Sequence, residues 1–118
     1  MNQTVLAMRN ALAVACRACG VRFNTTLEDF DVDAVLEEAE AQGWDAREIA
    51  CQVLFRCCVE DGQFNNFQAG FLAVANFIDS QATPLKQHRE RALKDLLSIL
   101  NSGPTKDAIR KWVETNYP

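Results

Sequence analysis

The chain has one histidine, His88, and no serine–histidine–acid constellation, no glycine-rich phosphate loop and no cofactor fingerprint. Hydrolase and nucleotide-binding chemistries therefore have no candidate residues, and no cofactor is expected. Its longest apolar runs fall far short of the roughly 20 residues a membrane span needs. No basic segment precedes the first apolar stretch, which Arg9 interrupts, so no secretory signal is expected. Period-2 alternation is missing beyond a few residues near Val21, and there is neither an internal repeat nor a low-complexity segment. Five cysteines is an odd number, and they sit in apolar helical surroundings. This predicts reduced thiols in a cytoplasmic protein, behaving as small hydrophobes.

What the chain does have is helical periodicity. At 118 residues with 48% hydrophobic and 24% charged residues, it is long enough for one domain with a full core. The stretch Asp45–Glu60 organises it. Glu48, Gln52, Arg56 and Glu60 recur every four residues as one polar stripe, and nearly everything between them is apolar. A helix apolar around most of its circumference must be covered on several sides. The expected fold is therefore all-α: a single compact domain over 1–118, with five or six helices packed around a central buried helix at about 45–60.

The covering helices can be placed by spacing. A first helix is expected over Val5–Cys19, capped by Thr4, with Val5, Met8, Leu12, Ala15, Cys16 and Cys19 inward and Gly20 closing it. A second follows Asp31 to Gln42, closed by Gly43, with Trp44 folding back. Asp45 and Glu48 have capping-box spacing at the start of the central helix. A fourth helix, Asn65–Ser80, carries a seam of Phe64, Phe67, Phe71, Val74 and Ile78, which predicts the densest part of the core. Its Gly70, Ala69 and Ala73 would admit a close neighbour. Thr83-Pro84 reads as an N-cap and first-turn proline for a fifth helix ending near Asn101. Ser102-Gly103-Pro104 separates it from a last helix at about Thr105–Thr115, with Ala108, Ile109, Trp112 and Val113 inward.

Several motifs suggest chemistry, each beside a plainer reading. Carboxylates at positions 1, 3, 5, 9 and 12 of Asp29–Glu40 resemble the calcium loop of an EF-hand, but position 6 is Ala34 where that loop needs glycine. The plainer reading is a solvated acidic helix start, which the helix dipole favours. Cys16 and Cys19 have redox spacing but close a helix, where the dipole opposes a thiolate. A zinc site would have to draw on Cys16, Cys19, Cys57 or Cys58, and His88, without a second paired motif. Buried structural thiols and a surface histidine are expected instead.

Charge is the remaining feature. Residues 1–83 hold twelve acids and five bases, whereas residues 84–118 hold four acids and seven bases. This split predicts a small acidic, non-enzymatic protein-binding module, an inhibitor or adaptor that engages a basic surface of a partner protein. Immunity proteins and phage-encoded inhibitors offer an analogy of size and charge. The expected contact residues are Asp29, Asp31, Asp33, Glu37, Glu38 and Glu40. The alternative is a nucleic-acid-binding regulator using Lys86, Arg89, Arg91, Lys94, Arg110 and Lys111. Oligomeric state is not legible from the chain.

Overall fold

The computed structural model describes residues 2–18, 32–60, 64–81 and 85–118. It is all-α, with α1 Gln3–Ala18, α2 Val32–Gln42, α3 Ala46–Leu54 continued as a π-helix over Phe55–Glu60, α4 Phe64–Gln81, α5 Lys86–Asn101 and α6 Lys106–Asn116. No strand occurs among the described residues. The expectation of five or six helices with the Asp45–Glu60 segment at their centre is met among the described residues. Ile49, Ala50, Cys51, Val53 and Leu54 are fully buried, and α3 packs against α1, α2, α4 and α6.

Local chemistry sets the boundaries. The Glu48 N–H donates to Asp45 Oδ1 at 2.9 Å, so the expected cap of α3 forms, and the Ala108 N–H donates to Thr105 Oγ1 at 3.1 Å, which caps α6. Gly43 has φ +67 and closes α2, while the Trp44 N–H reaches back to the Ala39 carbonyl at 3.0 Å. That bond is the outer link of a Schellman motif, and half-buried Trp44 packs on the core beside it. Gly103, at φ +90, turns the chain between α5 and α6.

Three details differ from the sequence reading. Asn2, not Thr4, caps α1: the Thr4 N–H donates to Asn2 Oδ1 at 2.8 Å, and the helix begins two residues early. Leu85 flanks the start of α5 with no side-chain cap, while the expected Thr83-Pro84 start, like Cys19, Gly20 and Asp31, lies outside the described residues. On α4, Phe71 is only half-buried, whereas Phe77 is fully buried. The side chains of Phe64 and Phe67 also lie outside the description. Val74 and Ile78 of the expected seam are buried, and Ala73 and Phe77 complete the core face of α4 beside them.

The π segment was not anticipated. A strict four-residue repeat drifts about 40° per step around an α-helix, and a wider π turn carries it back. Glu48, Gln52 and Arg56 of the stripe are each half-buried, while Phe55 and Cys57 are buried. Gly70 of α4 meets this segment: a β-carbon there would lie 3.0 Å from Cys57 Cβ. The close approach expected at Gly70 is present, and its neighbour is the π turn.

The C-terminal residues lock the outer helices. Trp112 Nε1–H donates to the Ala92 carbonyl at 2.9 Å, tying α6 to α5. Tyr117 O–H donates to the Val74 carbonyl at 3.2 Å, tying the chain end to α4. Burial pushes the Tyr117 phenol well above its ordinary pKa. Its ring lies 5.7 Å from Phe77 and 6.4 Å, edge-on, from Trp112.

Candidate functional site

Asp29 and Asp31 lie outside the described residues. Asp33, Glu37 and Glu40 occupy one helical register of α2, at steps of four and three residues, on the side opposite buried Val35, Leu36 and Ala39. Glu37 and Glu40 are exposed. Glu38 is held back: its Oε2 lies 3.6 Å from Arg56 of the π segment, and its Oε1 accepts from Gln42 Nε2 at 3.0 Å. Residues 32–40 form continuous helix, which strings carboxylates along a rod instead of wrapping them around one point. Among the described residues, no three of His, Cys, Asp or Glu converge as metal ligands would.

The basic residues do not form one patch. Arg89 Nε lies 2.8 Å from Asp79 Oδ1 of α4. Arg110 turns toward α3, where its Nη1 donates to Glu48 Oε2 at 3.0 Å and its guanidinium sits 5.3 Å over the Phe55 ring. Lys106 Nζ lies 5.5 Å over the same ring. Lys86, Arg91, Lys94 and Lys111 remain exposed. Arg91 and Lys94, together with Glu90, edge a groove of about 610 Å³ between α4 and α5, floored by Phe71, Leu93 and Leu97.

Glu48 is engaged through both carboxylate oxygens. Its other oxygen accepts from Gln52 Nε2 at 2.8 Å, so Glu48 closes no capping box with Asp45. The Arg110 hydrogen bond holds the Glu48 carboxyl below its usual range, with Gln52 adding to the effect against partial burial. A depressed folded-state pKa contributes stability above the ordinary value of 4.5 and loses it as pH falls through the depressed one. Glu48→Gln should therefore lower stability by roughly 0.5–1 kcal/mol at neutral pH. The difference between the variant and the parent should shrink as pH drops below about 4, read by urea unfolding at each pH. A difference constant from pH 7 to pH 3 would show that the pair does not act through charge.

The three cysteines whose side chains are described are core residues. Cys16, Cys51 and Cys57 are fully buried and form no disulfide. Burial pushes the Cys51 thiol up to about 11, which removes it as a nucleophile near neutral pH. His88 is exposed on α5. None of the described helices is long and apolar enough to cross a membrane.

The sequence reading missed two features. The Glu48–Arg110–Phe55 cluster joins residues up to 62 positions apart, with no local signal. The outward face of α1 did have one: Leu6, Asn10 and Val14, four residues apart, lie opposite the buried stripe, and Leu6 and Val14 are 39% and 50% exposed. Comparison with protein-family models, curated proteins and solved structures finds no match.

Proposed function

We propose that this chain acts by binding a partner protein that presents a basic surface, with the outward register of α2 as the contact. The carrying observation is that Glu37 and Glu40 stand exposed at the register of Asp33, while neighbouring Glu38 is engaged by Arg56 and Gln42. Carboxylates already solvated on a rigid helix meet a partner's cations without breaking internal pairs. Such charges raise the association rate and select the partner more than they add affinity. A surface of this kind competes with a polyanion for a basic cleft, as an inhibitor or adaptor of nucleic-acid machinery would. The raised Cys51 thiol and exposed His88 support a binding role over a catalytic one.

The test is capture from host extract at low salt, comparing the parent with Glu37→Lys/Glu40→Lys. A protein held by the parent and lost by the variant supports the acidic contact; equal retention refutes it. A second reading takes Arg91 and Lys94 beside Phe71 as a cationic groove for nucleic acid. Filter binding of random single and double strands separates the two. Salt-sensitive retention would favour the groove, and no retention at about 50 mM salt would remove it.

A further inference from the structure

We draw no further inference here: the strongest candidate, the groove between α4 and α5 floored by Phe71, Leu93 and Leu97, is edged by Glu90 as well as by Arg91 and Lys94, and nothing in the structure shows what covers it.

Discussion

Phe77→Ala should destabilise the protein by about 3–5 kcal/mol, and Phe71→Ala by no more than about 1 kcal/mol. The first removes a fully buried ring that packs 5.7 Å from Tyr117 and fills the space between α4 and the chain end. The cavity left there is enclosed by helices on several sides and cannot collapse without moving them. The second removes a ring that already faces water along one side of a groove. Because typical domains have only about 5–15 kcal/mol of stability in total, the Phe77 variant should approach the threshold of unfolding at physiological temperature. Urea unfolding followed by circular dichroism measures both. Comparable losses at the two positions would mean that α4 is rotated from the orientation described.

Trp112→Ala should cost a similar amount, about 3–5 kcal/mol, and Trp112→Phe about 1–2 kcal/mol. The smaller change keeps most of the ring volume but deletes the hydrogen bond from the indole to the Ala92 carbonyl. The larger also opens a hole beside Tyr117, whose ring stands edge-on to the indole. Since this hydrogen bond ties α6 to α5, the alanine variant should lose amide protection along Lys86–Asn101 before it does so along α1. Equal stability losses in the two variants would assign the tie to the hydrogen bond and not to the ring.

Much of the architecture was readable because the determinants are local. Apolar spacing located six helical segments. Asp45 announced a cap, and Gly43 and Gly103 two turns, because each residue type suits the backbone conformation it adopts. Errors arose where local chemistry offered two near-equal answers. Asn2 and Thr4 are both good caps, and Phe71 and Phe77 are both aromatic on neighbouring faces of α4. Only the tertiary neighbours decide which ring goes in. The acidic register of α2 was legible in Glu37 and Glu40. The capture of Glu38 by Arg56 was not, because it depends on how α2 lies against the π segment. The same holds for Arg110, which reads as a free cation in sequence and is spent on Glu48 and Phe55 in the fold.

The π turn at Phe55–Glu60 gives the central helix slack in chain length. Because a π turn holds one residue more than an α-turn, deleting a residue within it would let the segment relax into ordinary α-helix with later positions keeping their facing. A deletion in regular α3 ahead of it has no such slack: every later position would swing by about 100°, and Cys57 would leave its place against Gly70. The helix therefore tolerates the loss of a residue inside the π turn better than one turn earlier.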